Sequence, residues 1–148
     1  MFSCQLLSHP ESFPIENIRI SEICSYIASN VDIPQSGILN IAFLSDEEIR
    51  VLNHQYRWID STTDVLSFHY FDDFSALWED EIVWEIIMSE SRIVSQAQEH
   101  GHSEREEFET LLIHGILHIL GYDHEEDDEY ETMWKIEKPA REFFWLTK

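Results

Sequence analysis

The stretch SEREEFETLLIHGILHILGYDH (103–124) carries the strongest structural signal in the sequence. Ser103 followed by Glu106 is a capping-box pattern, which opens a helix. Apolar residues then recur at helical spacing through Phe108–Leu120. Gly121 follows, and a glycine at this point can adopt the positive φ that ends a helix. The stretch therefore predicts one long helix that closes in a tight bend.

Three histidines in this stretch have the spacing of a metal site. His114 and His118 are four residues apart, so a helix places both imidazoles on one face, one turn apart. The bend at Gly121 would let His124 approach the same point. Three imidazoles leave a fourth position for water, which is typical of a catalytic zinc site. We expect one Zn²⁺ ion here, although nickel, copper or iron would also accept such ligands.

The same spacing occurs in metzincin proteases, which carry a glutamate directly after the first histidine as general base. This chain has Gly115 at that position, which weakens the prediction of peptide hydrolysis. A metallopeptidase or another small-substrate metallohydrolase remains the alternative enzyme class. His102 lies just before the helix and could reach a neighbouring site, although a structural role is favoured. Structural roles are also expected for His9, His54, His69 and His100.

The remaining pattern predicts an α+β fold, with a small mixed sheet of about four strands packed against several helices and a zinc cleft at the histidine helix. We expect the 148 residues to form a single metallohydrolase domain, residues 1–148. Strands are predicted at Phe2–Leu7, Leu39–Leu44, Val65–Tyr70 and Ile82–Met88, the last two able to pair directly. Further helices are predicted at Pro14–Ser29, after the capping box Ser45/Glu48, from Ser89 to near Gly101, and at Asp127–Phe144. A left-handed C-cap is expected at Gly101, and a polar loop at Arg57–Asp64.

The composition restricts location and partners. Nine basic and thirty acidic residues give a formal charge of −21, and such a field repels polyanions at long range. The sequence has no apolar run long enough for a membrane span and no secretory signal pattern, so a cytoplasmic protein without a membrane partner is expected. Cys4 and Cys24 are interpreted as buried free thiols.

Two upstream segments extend the histidine motif into a family resemblance. Together with HGILHILGYDH (114–124), the segments LNHQYR (52–57) and TDVLSF (63–68) resemble the YbeY family of bacterial endoribonucleases and rRNA maturation factors. The order and spacing of the three motifs agree over about residues 40–138. The sequence departs from the family pattern in two places: His69 stands where a proline is usual, and Asp80–Glu81 where a Gly-Asp pair is usual.

The resemblance implies a zinc-dependent endoribonuclease that prefers single strands, matures the 3′ end of 16S rRNA and takes part in ribosome quality control. It implies that His114, His118 and His124 are the metal ligands and that Arg57 and His114 are catalytic. We expect Arg57 to bind the scissile phosphate through its planar guanidinium fork. Partners would be single-stranded RNA and the ribosome or ribosomal proteins, with the oligomeric state left open. The non-enzymatic alternative is a ribosome assembly factor with a structural zinc.

The acidity conflicts with an RNA substrate unless positive charge is concentrated locally or a ribosomal partner docks the protein. We therefore expect weak and salt-sensitive affinity for isolated RNA. The basic residues available for such a concentration are Arg50, Arg57, Arg92, Arg105, Lys135, Lys138 and Arg141.

Overall fold

A computed structural model describes residues 2–30, 37–61, 63–69, 82–119 and 127–144. Its elements follow the predicted order βαβαββααα. They are β1 (Phe2–Leu6), α1 (Asn17–Asn30), β2 (Gly37–Leu44), α2 (Asp46–Arg57), β3 (Val65–His69), β4 (Ile82–Ser89), α3 (Glu90–His100), α4 (Glu104–Ile119) and α5 (Asp127–Phe143). Arg57, predicted to begin a loop, is the last residue of α2. None of the described helices has the length and apolarity needed to cross a membrane.

The four strands form one mixed sheet in the order β1-β2-β4-β3. The β1–β2 and β2–β4 pairs are parallel, and β3 pairs antiparallel with β4. The predicted α+β class, the four-stranded mixed sheet and the direct pairing of the third and fourth strands are confirmed. The sheet places the start of β3 beside the end of β4, where Asp64 C=O accepts a bond from the Ser89 N–H at 2.9 Å.

Helices cover both faces of the sheet, because alternate residues of a strand point in opposite directions. Trp84 and Ile86 of β4 belong to the main core, which they share with apolar side chains of α1, α3, α4 and α5. Ile87 faces the other way, into a smaller cluster with Leu66 and with Ile49 of α2. The helix that carries the histidines therefore lies on the more deeply packed side of the sheet.

Capping side chains fix the corner between α3 and α4. Gly101 adopts φ 72° and ends α3, which confirms the predicted left-handed cap. Ser103 and Glu106 then bond reciprocally: the Ser103 N–H donates to Glu106 Oε1 at 3.1 Å, and the Glu106 N–H donates to Ser103 Oγ at 3.2 Å. The hydrogen bond from the Ser103 backbone lowers the pKa of Glu106 by more than burial raises it, so the net shift of the pKa is downward. This tight corner brings the end of α3 against the first turns of α4.

Candidate metal centre

The last two turns of α4 present the predicted histidine pair. His114 and His118 lie within Glu104–Ile119 and are four residues apart, as predicted. The His114 side chain is 33% exposed and His118 is exposed, so both rings reach the surface of a helix whose other side is buried. Gly121 and His124 lie outside the described residues, and the third ligand therefore stays a prediction.

A buried carboxylate, not anticipated from the sequence, holds the His114 ring. Nδ1 of His114 lies 3.2 Å from Oε1 of Glu137 in α5, and the Glu137 side chain is 10% exposed. A carboxylate bonded to one ring nitrogen of a histidine fixes the tautomer and the orientation in which the other nitrogen can bind a metal. The sequence did contain a signal, because Glu137 stands four residues after the buried Met133 and three before the buried Ala140, on the apolar side of α5.

His114 and Glu137 line a cavity of about 850 Å³, which we call the α4 cleft. Asp64 and Val65, at the start of β3, line the same cleft. Asp64 is held there, since its carboxylate accepts a bond from Gln96 Nε2 at 3.3 Å. The further lining residues are Gln96, Glu99, His100, His102, Glu107, Thr110, Leu111 and Arg141. The α4 cleft is therefore rich in carboxylates and imidazoles, the groups that bind divalent metals.

A second group of potential ligands lies in the same cleft. Oε1 of Glu107 is 2.6 Å from Nε2 of His102 and 2.9 Å from Nδ1 of His100. These ligand atoms lie within 4.8 Å of one another. The sequence favours structural roles for both histidines and gives no prediction for Glu107. The overlooked signal is that Glu107 stands seven residues before His114, which is two helical turns on the same face.

Gly115 has a packing role on the opposite side of α4. It is buried, and a Cβ atom there would lie 3.2 Å from Cδ1 of Ile86 in β4. The position after the first histidine therefore points at the sheet, where an acidic side chain would lose its hydration without gaining a partner. The absence of a metzincin-type glutamate thus has a structural cause.

The described basic residues are mostly engaged with carboxylates. Arg50 Nε lies 2.8 Å from Asp60, and this bond lowers the pKa of the Asp60 carboxyl. Arg105 contacts Glu109, and Lys138 lies 4.0 Å from Glu142. Arg141 lines the α4 cleft. The Arg57 side chain lies outside the described part, so its phosphate-binding role remains a prediction.

Comparison with known proteins identifies the family. The family model described as endoribonuclease YbeY matches residues 11–143. The chain belongs to the endoribonuclease YbeY family. A relative of that name from Listeria monocytogenes serotype 4a is 33% identical over 97% of this chain and 96% of its own length. Another, from Carboxydothermus hydrogenoformans, is 39% identical over 67% of this chain and 66% of its own.

A solved structure supports the same assignment. The solution structure of TM1509 from Thermotoga maritima matches with a TM-score of 0.57 and 25% identity, over 97% of this chain and 91% of that one. The predicted family and α+β fold are therefore confirmed. The relatives are named as endoribonucleases, so the predicted enzyme class, a hydrolase that acts on RNA, holds at the level of the family.

Proposed function

We propose that this chain is a zinc-dependent endoribonuclease that cleaves single-stranded RNA, with one catalytic ion on His114, His118 and His124. Its substrate would be the 3′ end of 16S rRNA, and it would act in ribosome quality control on the ribosome or ribosomal proteins in the cytoplasm. We further propose that residues 1–148 form one metallohydrolase domain. The observation that carries the proposal is the His114–Glu137 contact at the edge of an open cleft in a YbeY-family chain.

The described residues fit a metal. His114 and His118 occupy one face of α4, and the buried Glu137 contacts Nδ1 of His114, the arrangement in which a carboxylate orients a metal-binding imidazole. A closed structural zinc site would use four protein ligands, whereas three imidazoles at an open cleft leave a position for water or substrate. When bound, such an ion supplies Lewis-acid activation of water and of a phosphoryl oxygen.

The protein side chains supply orientation and charge. Glu137 holds the His114 ring and would stabilise positive charge on it through the same bond. Arg57, at the C-terminal end of α2, would bind the scissile phosphate through two parallel N–H bonds and stabilise its developing negative charge. A lysine could not reproduce that planar fork. Gly115 leaves no glutamate beside the first histidine, which favours phosphodiester over peptide hydrolysis as the reaction.

A cleavage assay tests the proposal. The full chain should cut a single-stranded RNA oligonucleotide, spare the matched duplex and casein, lose activity with chelator and regain it with Zn²⁺. His114→Ala should lower the rate by more than about 100-fold. His9→Ala, a histidine exposed outside the cleft, should leave the rate unchanged.

Two results would overturn the proposal. RNA that stays intact with zinc while casein is cleaved would favour a metallopeptidase. If the His114→Ala variant cleaves RNA at the same rate as the unsubstituted protein, an ion at His114 has no part in the reaction. If positive residues such as Arg57 contact the RNA backbone, the rate on isolated RNA should fall with added salt.

A further inference from the structure

The second ligand group in the α4 cleft is buried at its base and open at its rim. Side-chain exposure is 4% for Glu107 and 6% for His102, but 55% for His100. Two nearly buried polar groups therefore face a cavity of about 850 Å³, and a third closes over them from the surface. Burying polar side chains in this way costs desolvation energy, whereas apolar side chains at the same corner between two helices would carry no such cost.

The corner between α3 and α4 produces this geometry. His100 ends α3, Gly101 reverses the chain at φ 72°, and His102 returns towards the first turns of α4. The two imidazole rings are 5.5 Å apart between centroids and 74° apart in plane. Each presents a nitrogen to the same oxygen of Glu107. The backbone thus brings together two nitrogen ligands and a carboxylate from a span of eight residues, 100–107.

Two histidines and a glutamate are a known ligand set for zinc and related divalent ions. Ligand atoms around a tetrahedral ion with bonds of about 2.1 Å stand roughly 3.4 Å apart. The contacts at 2.6 and 2.9 Å would therefore open by less than about 1 Å to admit an ion. His100, at the exposed rim, can make most of this adjustment by rotating its side chain.

We propose that His100, His102 and Glu107 form a second site for a divalent cation of the zinc class, separate from the site at His114. Glu107 and His114 are two helical turns apart, which is about 10 Å along the axis. Two ions that share one reacting phosphate lie only about 3.5–4 Å apart. The second ion would therefore not join the first in a two-metal reaction.

The charges that line the cleft suggest what this ion does. Asp64, Glu99, Glu107 and Glu137 all line it, and a polyanion that enters would be repelled. A bound cation would offset two of these negative charges at one end of the cleft. This consequence rests on the proposed function, whereas the cation site itself does not.

Zinc titration of the full chain tests the site. Calorimetry with ZnCl₂, followed by elemental analysis after dialysis, should show two equivalents in the unsubstituted protein. His100→Ala should weaken one equivalent by at least about 10-fold, and His114→Ala should weaken the other. His100→Ala is the preferred variant because its exposed ring contributes little to folding. Glu107→Gln, which keeps the side-chain shape, should weaken the same equivalent as His100→Ala.

The outcomes separate this site from the proposed catalytic one. The second site is overturned if His100→Ala and Glu107→Gln both bind zinc as the unsubstituted protein does. It is also overturned if one equivalent binds in total and His114→Ala alone removes it. If one equivalent binds and only His100→Ala and Glu107→Gln remove it, the second site stands and the proposed zinc at His114 fails. His9→Ala controls for zinc bound weakly by exposed histidines.

Discussion

Glu107 and Glu109 are two residues apart on α4 and both are buried, yet they have different partners. Glu107 faces the α4 cleft and contacts two imidazoles. Glu109 faces a cavity of about 550 Å³ on the other flank and contacts two guanidinium groups. Arg19 Nε lies 3.1 and 3.0 Å from its two oxygens, and Arg105 Nη1 lies 3.3 and 3.1 Å away.

The difference separates a structural carboxylate from one that can exchange partners. Arginine is always charged and has no lone pair to offer a metal, so the Glu109 cluster has one chemical state. An imidazole nitrogen can hold a proton or bind an ion, so the Glu107 cluster has several. We therefore expect the side of α4 with Glu107 and its imidazoles, the histidine flank, to serve function. The side with Glu109 and its guanidinium groups, the arginine flank, should stabilise the fold. The following predictions test that division.

The largest expected effect is on the arginine flank. Arg19→Ala removes the two bonds to Glu109 and the bond from Arg19 Nη2 to the Phe144 carbonyl at 2.9 Å. Since Glu109 is 1% exposed and would keep the half-exposed Arg105 as its described partner, the unfolding free energy should fall by about 3 kcal/mol in urea denaturation. Arg50→Ala, which breaks an exposed pair with Asp60, should leave the midpoint almost unchanged. Similar midpoints for both variants would contradict the structural role of Glu109.

The next effect depends on metal and belongs to the histidine flank. Zinc at about 100 times its dissociation constant should stabilise the folded chain by roughly 2.7 kcal/mol for each site it fills. Arg19→Ala should keep the full stabilisation although its starting stability is lower. Glu107→Gln should lose the stabilisation that zinc provides at one site. Differential scanning calorimetry with and without zinc measures the stabilisation in both variants. Equal zinc stabilisation in Glu107→Gln and the unsubstituted protein would remove the distinction between the flanks.

A smaller effect is expected from the carboxylate behind His114. Glu137→Gln keeps a hydrogen-bonding side chain but loses the charge, so zinc affinity should fall by about 10–100-fold. Glu142→Gln is the matched control, because Glu142 lies on the same helix, is 52% exposed and contacts Lys138. Competition with a chelating dye gives both affinities. An unchanged affinity for Glu137→Gln would mean that the contact to His114 is only packing.

The smallest effect concerns a carboxylate bound by neutral donors, at Glu90. Burial raises the pKa of Glu90, but bonds from the Ser12 hydroxyl and from the Glu11 and Ser12 N–H groups lower it by more. A lowered folded pKa gives stability that is present above the unfolded value and lost as pH falls through the folded one. Glu90→Gln should thus cost about 1 kcal/mol at pH 7. The difference should vanish well below about pH 4.3.

Urea unfolding at pH 7 and at pH 3 measures this loss. Zinc should not change it, because Glu90 does not line the α4 cleft. A cost that stays the same at both pH values would contradict the assigned role of the Glu90 charge.

The local signals in the sequence were sufficient for most of the fold. A capping residue can be recognised from the few residues around it. The predicted caps are confirmed at Ser45, Ser89, Gly101 and Ser103. The helical spacing of His114 and His118 is equally local. The order β1-β2-β4-β3, by contrast, depends on which hydrophobic faces meet across the whole chain, and short-range patterns do not encode it.

The supporting carboxylates were missed for a related reason. In a chain with thirty acidic residues, each glutamate is most simply interpreted as solvated. Among the described acidic residues, Glu107, Glu109 and Glu137 are the ones that tertiary packing buries. The polar residues that follow Tyr56 predict a loop from Arg57, whereas α2 continues to Arg57 and stops at Trp58, with φ 61°. Burial of a charged residue follows from contacts that are distant in sequence.

The most direct test of the central proposal is anomalous diffraction at the zinc edge from crystals of the full chain grown with zinc. The proposal predicts a peak about 2.1 Å from one ring nitrogen of each of His114, His118 and His124, with Glu137 still bonded to His114. A zinc-bound structure in which those three rings diverge and share no peak would contradict it.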